Sequence, residues 1–562
     1  MRERNFIFLL LIFFLLNLVF RVDVSIATQG YLPRNAEIDH IPKNILFGSF
    51  AGGRSHVKPM LDVAAILIER GHNVILLTSG NYTPASEYPT VKQITLGPPM
   101  NLREIKGIRE LIDKDFDFSR VSTIHEIAIN TYKDIFEKYK KAVKEYNIDL
   151  LVCSAAMNDP CLDVGHALKK PVVGFISFLN ALEPKSYKSD PIFRCNISME
   201  NESFLERFRC TVIQPLRMVN YIYPFITGLN DIRKQIDVEP VFLSVRRLTQ
   251  TSLILVDTFF GFELPQPLSP NIQEIGPVMS EEYPPLSPEL SDFINAHKRV
   301  LYVAFGTRFF TSVENNSKLL QSFVEVINKN IIDGVVWALV QTLKDDFNPT
   351  LNLSDGSQIQ TSSILSNEHP HIHIASFAPQ FAVLNHTNTK LFLSHGGASS
   401  SHESLYTGTP MLILPFGGDQ LGNAEKLKSA GIALSLNKMK LDVNDIVNKM
   451  DILLKDENVK KNSKRMEILA KINSKRKFRA ADLIEYILYS SNTNEINEEF
   501  LKEWIPAGTR MGFIRGNNYD VYGALLSIIL GIVGGILWVT FKLIRFIVNR
   551  IPSSAVQKPK RE

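Results

Sequence analysis

Cysteine is scarce: four residues in a chain of 562. So few cannot staple a protein of this size, so an apolar core must hold it together, and no cysteine–histidine spacing resembles a zinc site. A dominant charge is missing too. Lys+Arg 62 against Asp+Glu 58 leaves +4, too balanced for a nucleic-acid-binding surface. Low-complexity tracts and short-period internal repeats are absent too. What remains is an ordinary globular composition, 45% hydrophobic and 21% charged, in a chain long enough for two large domains with appendages.

The two ends carry addresses. Arg2 and Arg4 precede an apolar run from Phe6 to Phe20, broken only by Asn17, and Ser25-Ile26-Ala27 offers small residues for cleavage. This pattern reads as a secretory signal over residues 1–27. Residues 521–541 contain no charge. As a helix they extend about 31 Å, enough to cross a hydrocarbon core of about 30 Å. Lys542, Arg545, Arg550, Lys558, Lys560 and Arg561 follow, against Lys502, Arg510 and Arg515 before. The positive-inside bias leaves 542–562 in the cytosol and the bulk of the chain in the lumen. The expected topology is single-pass type I. The final Lys558-Pro559-Lys560-Arg561-Glu562 resembles tails that retrieve membrane proteins to the endoplasmic reticulum. Sequons at Asn81, Asn196, Asn201, Asn315, Asn352 and Asn385 fit a glycoprotein of that compartment. Cys195 and Cys210 lie 15 residues apart in a polar, sequon-bearing stretch, where a disulfide is plausible chemistry in an oxidising space. Cys153 and Cys161 sit within or beside apolar runs and read as buried free thiols.

Between the ends the pattern is α/β. Residues 45–50 form an apolar run closing on Gly52-Gly53, 58–70 are amphipathic, Gly71 stops them, and 74–78 are apolar again. That is a βαβ unit. Runs at 150–153 and 172–175 add two strands. Seven prolines between 264 and 288 mark a linker. The alternation then restarts, with strands expected at 300–305, 335–340, 373–375, 391–394 and 411–415 and a helix at 315–328. The expected division is 28–263 and 289–490 as two Rossmann-like domains facing a cleft, with 491–520 as a juxtamembrane segment.

The densest chemistry lies in residues 377–423, FAPQFAVLNHTNTKLFLSHGGASSSHESLYTGTPMLILPFGGDQLGN. A strand ends at His395-Gly396-Gly397 and a helix opens among the serines. Glycines admit close approach of an anion, and a helix N-terminus offers unbonded amides and partial positive charge. Glu403, one turn on, suits ribose hydroxyls, and Asp419-Gln420 suit the vicinal hydroxyls of a sugar.

Phe377, Pro379-Gln380, Leu384, His386, Phe392, His395-Gly396-Gly397, Ser400, Glu403, Gly408, Pro410, Asp419-Gln420 and Asn423 together resemble the signature of the UDP-glycosyltransferases, in particular their membrane-anchored, UDP-glucuronosyltransferase-like branch. The resemblance extends over nearly the whole chain. It implies a GT-B fold whose second domain holds a UDP-sugar co-substrate, with no other cofactor and no metal. By position, Phe377 would stack on uracil, where most members have Trp; Gln380 and Glu403 would bond the base and ribose. Thr307, His395, Gly397 and Ser400 would meet the diphosphate, and Asp419 and Gln420 the transferred sugar. The acceptor, a small lipophilic molecule, would bind the first domain. Self-association is common in such proteins.

His56, in Gly-Gly-Arg-Ser-His-Val-Lys-Pro (52–59), stands at the family's catalytic-base position. An imidazole takes a hydroxyl proton near neutral pH, and Pro59 suits the first turn of a following helix. The family pairs this His with an Asp just after a strand, where this chain has Ser154. Either Asp159, five residues on, has taken that role, or no carboxylate assists His56. The expected reaction is inverting, metal-independent transfer from a UDP-sugar to an acceptor hydroxyl. The alternative is a UDP-sugar-binding protein of the same fold without turnover.

Overall fold

The computed structural model describes residues 41–550, apart from 51–53, 81–87, 89, 99–102, 104–111, 113, 118–121, 156, 178–194, 196–201, 308 and 491–502. The signal, the basic tail from 551, Gly52-Gly53 and the sequons at Asn81, Asn196 and Asn201 lie outside the described residues.

Two parallel sheets carry the structure. The first runs β3 (Lys92–Thr95), β2 (Asn73–Thr78), β1 (Asn44–Ser49), β4 (Leu150–Ser154), β5 (Val172–Ile176), β6 (Leu253–Val256) and β7 (Ile272–Glu274) in spatial order. The second runs β12 (Ile372–Ala375), β9 (Gly334–Ala338), β8 (Val300–Ala304), β13 (Thr389–Ser394), β14 (Met411–Ile413) and β15 (Ala433–Ser435). A separate antiparallel hairpin pairs β10 (Thr350–Asn352) with β11 (Gln358–Gln360). The central strands are continuous Ile, Leu and Val because helices cover both faces of each sheet; Ile45, Leu46, Phe47, Leu301 and Val303 are fully buried.

The helices used below are α1 (Arg54–Glu69), α2 (Ser122–Glu145), α3 (Asp159–Ala167), α4 (Gln214–Gln235), α5 (Ser244–Thr251), α6 (Val313–Asn328), α7 (Ala398–Thr407), α8 (Asp419–Ser429), α9 (Lys477–Ser490) and α10 (Tyr519–Val548). In each sheet the strand order reverses once, between β1 and β4 and between β8 and β13. Such switch points open a crevice beyond the carboxyl ends of the strands, and ligands settle there.

Several expectations are corrected. The proline-rich segment 264–288 is more than a linker, because it supplies β7, paired in parallel with β6. Residues 477–490, assigned from sequence to the second domain, fold as α9 against the first. Ala480, Ala481 and Ile484 are fully buried in one cluster with Val57 and Leu61 of α1. Arg70 pairs with Asp482 at 2.8 Å and with buried Glu485 at 2.6 Å. Cys153 and Cys161 are not free thiols. Strand β4 and helix α3 bring them together, and they form a disulfide, as do Cys195 and Cys210. Asn315 is buried on α6, its Nδ2 donating to the Lys438 carbonyl at 3.0 Å, so that sequon is closed to a glycan, whereas Asn352 and Asn385 are exposed.

Helix α10 is longer than the uncharged stretch 521–541, and its apolar side chains are exposed all round. Thirty residues with a mean hydropathy of 2.4 over the most apolar window fit a single-pass membrane anchor.

Candidate functional site

A cavity of about 280 Å³ lies where the two switch points meet. It is lined from the first half by His56 and Lys58 of α1, Ser154 at the end of β4, and residues 175–177 at and just beyond the end of β5. The second half contributes Thr307, Phe377, Gln380, His395, Gly397, Ser400, Glu403, Asp419 and Gln420. Ten residues singled out from sequence thus share one space. Asp159 does not line it.

The second half's side is built around β13 and α7. Strand β13 delivers His395 into the crevice. Gly396 takes φ +81°, a backbone that glycine adopts without strain, and Gly397 is the N-cap of α7. No side chain caps that helix, and its first residues, Ala398 to Ser400, line the cavity. The result is an amide-lined, partly positive end facing the crevice, suited to a diphosphate.

The His395 ring is wedged between two glycines. A Cβ on Gly397 would stand 2.5 Å from Nε2, and one on Gly306 would stand 2.9 Å from Cε1. Gly397→Ala must therefore displace the imidazole, and is expected to raise the Kd for UDP about tenfold, equivalent to about 1.4 kcal/mol. Calorimetric titration with UDP measures this.

Burial pushes the His395 imidazole down to about 4, so at neutral pH it offers one N–H and one acceptor nitrogen. The unfolded chain takes a proton there near 6.5. The stability this histidine contributes is therefore full above that value and is lost as pH falls towards 4. Between pH 7 and pH 5, wild type should lose about 2 kcal/mol more than His395→Gln. Denaturant titration at the two pH values reads the difference.

The wall around Gln380 and Glu403 is organised in advance. Gln380 Nε2 donates to Glu403 Oε2 at 2.9 Å and to Ser400 Oγ at 3.2 Å. These bonds fix the amide and carboxylate relative to the start of α7. Phe377 is 56% exposed at the cavity wall, an aromatic face ready for a base. At the other end Asp419 opens α8 and accepts from Asn423 Nδ2 at 3.2 Å; burial pushes its carboxyl up from the ordinary range. Gln420 Oε1 is occupied by the Phe416 amide at 2.8 Å, so the group it can offer a ligand in the cavity is the Nε2 donor.

On the first half, His56 is exposed and stands in the first turn of α1. The helix begins two residues before it, earlier than the sequence implies, so Pro59 falls beyond the first turn. Asp159 is committed elsewhere. It is held by Arg233 at 3.3 Å and by Ser244 Oγ. Beside it, Asp163 takes Arg233 Nε at 2.8 Å, Tyr132 OH at 2.6 Å and Arg247. Burial, with Asp163 alongside, pushes the Asp159 carboxyl up. The α3 start points it into this ionic cluster and away from the crevice, so it is not the partner of His56. Among the described lining residues the only carboxylates are Glu403 and Asp419, both from the second half.

Lys58 and Tyr283 are among the lining residues that escaped the sequence. Lys58 reaches the cavity with its Nζ 3.0 Å from Asp62 Oδ2 and 4.9 Å from the Tyr283 ring centroid. Tyr283, inside the supposed linker, stacks on Phe381 at 3.7 Å. The i, i+4 pairing of Lys58 with Asp62 was the one signal available; nothing in the local pattern around Tyr283 marks it.

The profile of the family described as UDP-glucoronosyl and UDP-glucosyl transferase matches residues 180–551. A UDP-glycosyltransferase of Talaromyces amestolkiae is 27% identical over 505 residues, spanning 86% of this chain and 94% of its own. UDP-glycosyltransferase 1 of Phaeomoniella chlamydospora is 38% identical over 293 residues, 50% of this chain and 57% of its own. Human (Homo sapiens) UDP-glucuronosyltransferase 1A1 is 23% identical over 531 residues, 87% of this chain and 88% of its own. Two solved structures share the architecture. The glycotransferase of kitacinnamycin aligns with a TM-score of 0.55 at 16% identity, over 80% of this chain and 99% of that one. A Polygonum tinctorium UDP-glucosyltransferase capable of glucosylating indoxyl aligns at 0.54 and 17%, over 81% and 100%. With the two facing parallel sheets, these neighbours give the fold as GT-B.

Proposed function

Because the chain belongs to the UDP-glucoronosyl and UDP-glucosyl transferase family, and is therefore a UDP-sugar glycosyltransferase, we propose that it transfers a hexosyl or glucuronosyl group, with inversion and without a metal, to a hydroxyl of a small lipophilic acceptor. The observation that carries this reading is one cavity shared by His56 from the first half and the amide end of α7 from the second.

In the proposed step the acceptor hydroxyl gives its proton to the His56 imidazole, and its oxygen bonds C1 of the sugar from the face opposite UDP. The C1–O bond to the β-phosphate breaks, and UDP leaves with that electron pair. Negative charge growing on the diphosphate meets the α7 amides, neutral His395 and the Thr307 hydroxyl. Asp419 and the Gln420 amide hold the sugar, while Phe377, Gln380 and Glu403 hold the uridine. With Asp159 engaged by Arg233, the imidazolium that forms on His56 lacks the assistance expected of that carboxylate. The proposed setting is the lumen of the endoplasmic reticulum, with α10 as a type I anchor.

Purified full-length protein given mixed UDP-sugars and an acceptor panel, with products read by mass spectrometry, tests the reading and names the sugar. Tight UDP binding with no glycoside formed would favour the alternative, a binding protein that kept the donor pocket. Ser154 at the crevice, where a carboxylate is expected, is the observation on that side.

A further inference from the structure

One surface of the first half has no part in sugar transfer. The helix Phe204–Phe208, the π turn Arg209–Ile213 and α4 run on as one rod. The far end of α4 is a core element, with Phe225, Ile226 and Leu229 buried. The near end overhangs that core. Phe204, Phe208, Val212, Leu216, Val219 and Tyr223 recur once per turn, and all are exposed, Phe204 at 74% and Leu216 at 62%. Single exposed apolar side chains are ordinary; a ridge of them in register marks an interaction surface.

The overhang is built to persist. Ser203 and Glu206 form a reciprocal capping box at its start, worth about 1 kcal/mol to a helix. Phe204 and Phe208 stack at 6.2 Å, and Cys210 is bonded to Cys195 of the preceding chain. Arg207, Arg209 and Arg217 are exposed along the same rod.

The other end of the half explains what the ridge meets. Gln250 of α5 donates to the Thr509 carbonyl at 3.3 Å, Ile505 is buried, and α5 is joined to α4 through Ser244 and Arg233 at 2.7 Å. The root of the anchor is thus docked on the half that carries the ridge. The start of α10 lies ten positions after Thr509, a tether of at most about 36 Å.

We propose that residues 204–223 lie in the headgroup layer of the membrane that α10 crosses, with the apolar ridge among acyl chains and the three arginines at lipid phosphates. The inference rests on reading α10 as an anchor. It places the acceptor-binding half against the bilayer, where a lipophilic acceptor is concentrated.

The test uses the full chain in proteoliposomes, with a photoreactive amino acid at position 216, at position 530 within α10, or at exposed position 141 on α2. Adducts to phosphatidylcholine at position 216 should exceed those at 141 about tenfold, and rise when about one-fifth of the lipid is phosphatidylserine. Labelling at 530 with only the 141 level at 216 overturns the proposal and leaves the anchor intact. No lipid adduct at 530 removes the anchor reading and this inference with it. Adducts at 216 to a second copy of the chain, in place of lipid, would also overturn it.

Discussion

His56→Ala should lower the rate of sugar transfer by about 10² to 10⁴-fold, the usual worth of a positioned general base, with little change in UDP affinity. In the proposed step the base acts on the acceptor proton and the opposite wall would hold UDP, so kcat should fall while the UDP titration does not move. Asp159→Asn is the informative companion. Its carboxylate faces Arg233 and Ser244, outside the cavity. It should cost about 1–2 kcal/mol of stability through weakened hydrogen bonds, while kcat in the folded protein stays within about twofold of wild type. Rates measured with saturating donor, beside a thermal melt of each variant, separate the two. A His56→Ala rate equal to wild type would withdraw the acceptor-side mechanism; an Asp159→Asn rate as low as that of His56→Ala would restore Asp159 to the catalytic site.

Asp163→Asn should be the most damaging single change away from the crevice. This fully buried carboxylate binds Arg233, Arg247 and Tyr132 together. Neutralising it leaves two guanidinium groups at the cluster with Asp159 alone, and breaking a buried ion pair costs about 3–5 kcal/mol. Denaturant midpoints of the full chain in detergent check this. A loss below about 1 kcal/mol would mean that the cluster is solvated and behaves like a surface pair.

Much of the architecture was legible because strands covered by helices on both faces are unbroken apolar runs. Residues 45–50, 74–78, 150–153, 300–305 and 391–394 each coincide with a strand to within two residues at either end. Elements that failed did so for definite reasons. Strand β7 is three residues long with one buried side chain, Ile272, and prolines surround it. The apolar face of α9 announces a helix but not which sheet it covers, since that depends on where the chain turns after α8. Cys153 and Cys161, eight residues apart, meet only once β4 and α3 are packed.

The site divides in the same way. Its second-half residues, Thr307 apart, come from one continuous stretch, 377–423, whose spacings record strands, loops and helix starts in sequence order. Lys58 and Tyr283 meet across a sequence separation of 225, so no local pattern holds them. Asp159 misled because an acid beside a strand end looks alike whether it faces a crevice or a salt-bridge cluster; Arg233 and Ser244, more than seventy residues downstream, decide it.

The return of α9 to the first half also governs how these proteins can be recombined. A chimera that grafts the first half of one relative onto the second half of another, joined near residue 288, would mate a foreign α9 with Val57 and Leu61 and leave Arg70 facing unmatched acids. Such hybrids should be made with two junctions, so that residues 477–490 travel with the half they cover.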